Sequence, residues 1–184
     1  MRISAAIFAS MSAAALSLTA CSWPELGTDS SEPVKPVVAG HPVPHSGIAD
    51  ERDYRADNGY YFRTADRTIA CGLLDEPFGQ PRRSVGCQGV TGPAPREMQA
   101  CWSSDPSAAV LAVGDSAGYL CVNRGFFDGP PMAGGQASGG PVLPVGSSLS
   151  VYGFTCLAQP AGVTCRNEAN GHGFEIAPDH HRVF

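Results

Sequence analysis

Two short segments carry residue types that could do chemistry. Gly114-Asp-Ser-Ala-Gly118 fits the G-x-S-x-G pattern, a sharp turn that exposes a nucleophilic serine. Such a serine needs a strand before it, a helix after it, and a base within hydrogen-bond reach to take its proton. Here the residues that follow, Tyr119-Leu-Cys-Val122, read as a strand. Gly, Asp and Ser are also ordinary hairpin residues. The segment is therefore expected to be a plain turn, with Ser116 a nucleophile only in an alternative reading. The second segment is Asn170-Gly-His-Gly-Phe174, with His180 and His181 further on beside Asp179. Histidines next to a carboxylate could serve acid–base or metal chemistry. Histidines beside glycine more often sit in turns, and Asn167, Asn170 and His172 are expected to bond backbone groups there.

A second serine, in Ser138-Gly-Gly-Pro-Val142, partly matches the serine segment of chymotrypsin-like proteases. Ala137 stands where that pattern has Asp, and the upstream His41 and His45 fall in a proline-rich stretch. The surrounding Gly129–Gly146, rich in Gly and Pro, reads as a mobile loop. No coherent catalytic set emerges, and neither a cofactor nor a metal site is expected.

Cysteine gives a stronger signal. There are seven: Cys21, Cys71, Cys87, Cys101, Cys121, Cys156 and Cys165. The chain opens with Met1-Arg2 and then runs from Ile3 to Ala20 without a charge, its apolar residues diluted by Ala and Ser. A basic start and a short apolar core make a secretory signal. The stretch is too weakly apolar for a good membrane span, which needs about 20 strongly apolar residues. It ends Leu18-Thr-Ala-Cys21, which fits the bacterial lipobox: Leu, two small residues, then a thiol that takes up a diacylglyceryl group. Residues 1–20 are thus expected to be removed, and Cys21 lipidated. Two acyl chains give stable anchoring, at about 0.8 kcal/mol per buried CH₂. Assigning Cys21 to lipid leaves an even number of cysteines in an exported chain, as a disulfide framework requires.

One pair follows from geometry. Phe154–Arg166 reads as two short strands around Gln159-Pro-Ala-Gly162, with Pro and Gly placed as in a type I turn. Centring the turn on Pro160 and Ala161 sets Cys156 opposite Cys165, close enough for a disulfide. The nearest-neighbour pairs Cys71–Cys87 and Cys101–Cys121 are then the simplest completion, although spacing alone does not fix them. A zinc site is the rival use of these thiols, but no C-x₂-C spacing occurs.

These residues must be held by something. Residues 21–58 contain five prolines with Ser, Asp and scattered charges. They show no helical or strand period and read as a disordered tether, able to reach on the order of 100 Å. Residues 59–184 read as one β-rich globular domain. Short runs such as Tyr60–Thr64, Thr68–Leu73, Ser84–Gln88, Ala109–Val113, Gly118–Val122, Ser148–Cys156, Val163–Arg166 and Gly173–Ile176 alternate with Gly, Pro and Asp. This pattern predicts an all-β fold, a small disulfide-stapled antiparallel sandwich or barrel. Pro95–Trp102 has room for one helical turn. The formal net charge is −5, and losing Arg2 with the signal makes it −6. A mildly acidic domain without a basic stripe argues against nucleic acid as a partner.

The C-terminal third resembles a known group. Leu143-Pro-Val-Gly-Ser-Ser-Leu-Ser-Val-Tyr-Gly-Phe-Thr-Cys156, Gly162-Val-Thr-Cys-Arg-Asn167, Gly171-His-Gly-Phe174 and Arg182-Val-Phe184 are similar to segments of small exported actinobacterial proteins. Many of these are lipoproteins carrying a domain of unknown function. An aromatic strand ahead of a Cys (Tyr60–Cys71) and a central Cys101-Trp102 fit the same pattern. Val145 departs from it, since relatives often carry Tyr there. The resemblance implies an exported, cysteine-paired, β-rich domain and brings no catalytic residues. The resulting expectation is a non-enzymatic binding or structural domain, lipid-anchored on the extracytoplasmic face of the cell membrane. Its partner would be cell-wall glycan or another envelope protein. The alternative is an envelope hydrolase using Ser116 or His172.

Overall fold

The computed structural model describes residues 47–79, 82–103, 108–122, 125–130 and 139–184. The expected signal segment 1–20, the expected lipidation site Cys21, the stretch up to residue 46 with His41 and His45, and Ser138 lie outside the described residues.

Among the described residues, the apolar and β-branched runs form two antiparallel meanders. The first is β1 (Arg55–Ala56), β2 (Gly59–Arg63), β3 (Ile69–Leu74), β4 (Ser84–Gly89), β5 (Ala109–Val113) and β6 (Ala117–Cys121). The second is β7 (Ser148–Val151), β8 (Phe154–Gln159), β9 (Gly162–Asn167), β10 (Gly173–Ile176) and β11 (His181–Val183). In each sheet every strand pairs with its sequence neighbour. Between β4 and β5, a 3₁₀ turn at Arg96–Met98 runs into the one-turn helix α1 (Gln99–Trp102), where the sequence leaves room for one.

Side chains alternate across a strand, and this sorts the residues into faces. Phe62, Ile69, Leu73, Val85, Leu111 and Val113 of the first sheet share one buried cluster with Leu149, Val151, Phe154, Val163, Phe174 and Ile176 of the second. That cluster is the core of an all-β, disulfide-stapled sandwich. Burying each such side chain is worth about 1.5–3 kcal/mol. A second, smaller cluster of Tyr61, Leu74, Val110 and Phe127 lies on the outer face of the six-stranded sheet. Gly72 and Gly86, next in sequence to Cys71 and Cys87, make room there. A Cβ on Gly86 would collide with the Phe127 ring, and one on Gly72 with Tyr61. Gln88, also on this face, fixes the covering segment: its Oε1 accepts from the N–H groups of Phe126 (2.7 Å) and Phe127 (2.9 Å).

Six of the seven cysteines form three disulfides, Cys71–Cys87, Cys101–Cys121 and Cys156–Cys165, which are the nearest-neighbour pairs. Cys156 lies directly opposite Cys165, and Cys71 opposite Cys87, in the strand registers. The tight turn at Gln159–Gly162 is what sets the first of these. Cys101–Cys121 ties α1 to the edge strand β6.

The structure corrects three expectations. The ordered part begins before Gly59. Ile48 bridges Ser148 in parallel, Ala49 N donates to the Ser148 carbonyl (2.8 Å), and Glu51–Tyr54 forms a 3₁₀ turn capped by Asp50. Tyr54 is buried in the core. These contacts come from distant strands, so local composition gives no hint of them. The run Ser148–Cys156 is two strands, because Tyr152 and Gly153 both take positive φ and turn the chain between β7 and β8. Such a turn matches the twist of a hairpin, but usually carries Asn or Asp where Tyr152 stands. The stretch 139–146 is pinned: Arg63 N donates to Pro141 O, Leu143 N donates to Arg63 O, and Leu143 is fully buried.

Candidate functional site

The strand registers place the hairpin turns at two ends of the sandwich. One end gathers Gly114–Ser116, Tyr152–Gly153 and 168–172. Ser116 sits there in a three-residue loop between β5 and β6, with Val113 paired to Ala117. A strand follows it, as expected for a hairpin and unlike a nucleophile turn. Asn167 Nδ2 donates to Gly114 O (2.8 Å) and Asn170 Nδ2 to Asp115 O (3.2 Å), so the loop carrying Ser116 is fastened to the turn carrying His172. The two asparagines also order their own turn, Asn167 Oδ1 accepting from Ala169 N and Asn170 Oδ1 from His172 N. Both roles fit the expected turn chemistry. Ser116 and His172 are exposed, and neither side chain has a hydrogen bond among the described residues.

The same end carries a ladder of rings and guanidinium groups that the sequence did not suggest. Arg55 lies over Tyr60 (5.0 Å) and donates to its hydroxyl. Tyr60 meets Tyr152 edge-on (5.4 Å), and Arg83 covers Tyr152 (4.7 Å) while pairing with Asp75. The ladder joins β1, β2, the β3–β4 connection and the β7–β8 turn. It explains why a tyrosine is held at the positive φ of Tyr152.

The other end holds a concave feature. An open groove of about 720 Å³ runs between loop 91–94 and the α1 region, with Gln99, Ala100, Trp102 and Ser103 on the second wall. That volume falls in the range of small-molecule sites. Its position depends on the β10–β11 hairpin. Thr91 Oγ1 is 2.5 Å from the Ala177 carbonyl and 3.1 Å from that of His180. His181 spans the remaining gap, with Nε2 at 2.7 Å from Pro93 O and Nδ1 at 3.1 Å from the Tyr119 hydroxyl. A carbonyl can only accept, so Nε2 carries a proton. In the neutral ring, Nδ1 then accepts from Tyr119. Trp102, Tyr119 and His181 are mutually edge-on, with centroids 5.1–5.7 Å apart, geometry worth about 0.5–1.5 kcal/mol per aromatic pair beyond burial. Trp102 Nε1 donates to Leu120 O.

Of the sequence-marked histidines, His181 is therefore structural, a link between the two sheets. His180 belongs to a surface ion cluster. Its Nδ1 faces Asp179 (2.8 Å) and its Nε2 faces Glu175 (3.3 Å), while Arg182 donates to Glu175 (2.7 Å). Hydrogen bonding to Asp179 and then Glu175 raises the His180 pKa, and Arg182 lowers that of Glu175. Arg166 likewise lowers Glu168 on the same sheet. Sequence reasoning marked His180, His181 and Asp179 as a cluster but missed Thr91, Pro93 and Gln99. Nothing in their spacing links them to the C-terminal hairpin.

Among the described residues, no group of three or more His, Cys, Asp or Glu is placed to hold a metal ion, and no helix is long and apolar enough to cross a membrane. No family model, curated protein or solved structure matches the chain.

Proposed function

We propose that the chain is an exported envelope lipoprotein, cut before Cys21 and held by lipid on that cysteine at the extracytoplasmic face of the cell membrane. Its sandwich binds an envelope partner, either cell-wall glycan or another envelope protein. The observation that carries the anchor is the cysteine count. Three disulfides account for six cysteines, and Cys21 is the seventh. A disulfide framework belongs to an oxidising compartment, and the lipobox supplies a use for the odd thiol. The resemblance of the last forty residues to small exported actinobacterial lipoproteins supports the same reading. What supports binding is the shape of the groove end, which is concave, held by two sheets, and lined in its described part by uncharged residues. Ser116 lacks the helix and the paired base that a hydrolase turn uses, which is why binding is preferred to hydrolysis.

The anchor is tested by expressing the full chain and its Cys21→Ala variant with a labelled fatty acid. The wild-type protein takes up label and sediments with membranes; the variant does neither. A variant that is still labelled overturns the anchor.

A further inference from the structure

Resting on the binding reading, we infer that the groove between loop 91–94 and α1 takes an uncharged oligosaccharide.

Among the described residues, the groove's walls are neutral. Thr91, Gly92, Pro93 and Ala94 form one side, and Gln99, Ala100, Trp102 and Ser103 the other. None of these side chains ionises in the physiological range, so a charged ligand would lose its hydration without gaining an opposite charge. The groove instead offers neutral hydrogen-bonding groups. The Gln99 amide and the Ser103 hydroxyl are exposed, and neither has a hydrogen-bond partner among the described residues. The N–H groups of Gly92 and Ala94 likewise have none among the described residues. Between these groups lie the Pro93 ring and the methyl groups of Ala94 and Ala100. Space above Gly92 is open, since a Cβ there would meet nothing within 4 Å. Scattered polar groups around small apolar surfaces suit a sugar ring, which presents hydroxyls at its rim and C–H bonds on its faces.

An extended peptide fits this wall less well. Strand addition needs an unbroken run of backbone donors and acceptors along an edge. Loop 91–94 cannot supply one. Pro93 has no N–H, and its carbonyl already accepts from His181 Nε2. The Thr91 hydroxyl is committed to the β10–β11 hairpin. What remains is a set of separate donors rather than a ladder. Because His181 and Thr91 fix the loop from behind, the groove is formed before any ligand arrives, and less ordering is required on binding.

The test uses the mature full-length protein with Trp23→Phe, so that Trp102 is the only indole. Chitotetraose, an uncharged tetrasaccharide, is titrated while Trp102 fluorescence is followed. The expected result is a saturable change. Ala100→Arg, at an exposed position on the wall, should weaken binding by about tenfold or more. Gln99→Ala removes one neutral hydrogen-bonding group and should weaken it roughly three- to tenfold. Circular dichroism checks that both variants keep the fold, and Gln99→Ala, an exposed truncation, keeps the test open if Ala100→Arg does not. No saturable change, a change untouched by both variants, or equal binding of an oligogalacturonate overturns the inference. So does saturable binding of an uncharged peptide in place of the sugar. A photo-cross-linker placed in cells at Ser103, on the groove wall, separates the two failures. Capture of an envelope protein there with no sugar binding sinks the groove proposal and leaves the binding reading; no capture at Ser103 and no sugar binding sinks both.

Discussion

On the five-stranded sheet, the side chains that point away from the core include Ser150, Thr155, Thr164, Arg166 and Glu175. On the six-stranded sheet they include Tyr61, Leu74, Gly86, Gln88 and Val110. The first set meets water and pairs across strands, as Ser150 with Thr155 (2.9 Å) and Gln159 with Thr164 (3.0 Å). The second set is covered by a segment carrying Phe127. One sheet is a single-faced layer stabilised from within. The other must also be packed from outside, by a chain stretch with no regular structure of its own. The C-terminal sheet can thus be read from local alternation, whereas the N-terminal sheet depends on a partner far along the chain.

The largest way to break this contrast is Phe127→Ala. The ring is fully buried against Gly86, so truncation should cost about 3–5 kcal/mol in urea unfolding. A cost below about 1 kcal/mol would mean the outer cover is dispensable. Next come the disulfides. Replacing both Cys71 and Cys87 by Ala, or both Cys156 and Cys165, should cost about 2–4 kcal/mol each. The first pair closes the longer loop, 16 residues against 9. In the chain-entropy account it should cost about 0.5 kcal/mol more. The reverse order, from unfolding midpoints under oxidising conditions, would show that the C-terminal hairpin is the harder part to hold.

Gly86→Ala sharpens the same point, since the new methyl must displace the Phe127 ring. A loss of about 1–3 kcal/mol is expected, and a thermal melt equal to wild type would contradict that packing. On the single-faced sheet, Leu157→Thr at an exposed outward position should change stability by no more than about 0.5 kcal/mol. A loss above about 1.5 kcal/mol would reveal an outer cover there too.

The smallest effect is electrostatic and belongs to the single-faced sheet. The His180 pKa is raised by Asp179 and Glu175, so its contribution is complete below the ordinary imidazole range and is lost as pH rises through the raised value. The Glu175 pKa is lowered by Arg182, so its contribution is complete above the ordinary carboxylate range and is lost as pH falls. The cluster is therefore firmest near pH 5–6, roughly between the two ordinary values. An NMR titration of His180 that returns an unshifted or lowered midpoint removes this cluster.

How much of this could be read beforehand follows from the same contrast. The Cys156–Cys165 hairpin was legible because turn, register and disulfide lie within a dozen residues, and Gly173–Ile176 because its alternation is local. The split at Tyr152 was not, since a β-favouring aromatic occupies a turn position and is held there by Arg83 and Tyr60, which are distant in sequence. The groove was invisible for a related reason. Trp102, Pro93 and His181 become neighbours only when the two meanders stack, and their separate contexts look like a helix, a loop and a tail. Residues 47–58 read as tether because their strand partner, Ser148, lies a hundred positions away.

That last junction has a mechanical side. If the chain is pulled from its N-terminal side, the first contacts to bear load among the described residues are the two hydrogen bonds beside Ser148, Ser148 N to Gly47 O and Ala49 N to Ser148 O. Tyr54 is the next point of resistance, through its burial and its hydroxyl on Val142 O. Behind it, each cross-linked loop is inextensible, so tension passing along the backbone bypasses the residues between Cys71 and Cys87 and between Cys156 and Cys165. The attachment is a short clip in series with riveted plates. A pull from this side therefore loads those few hydrogen bonds before it reaches any cross-linked strand.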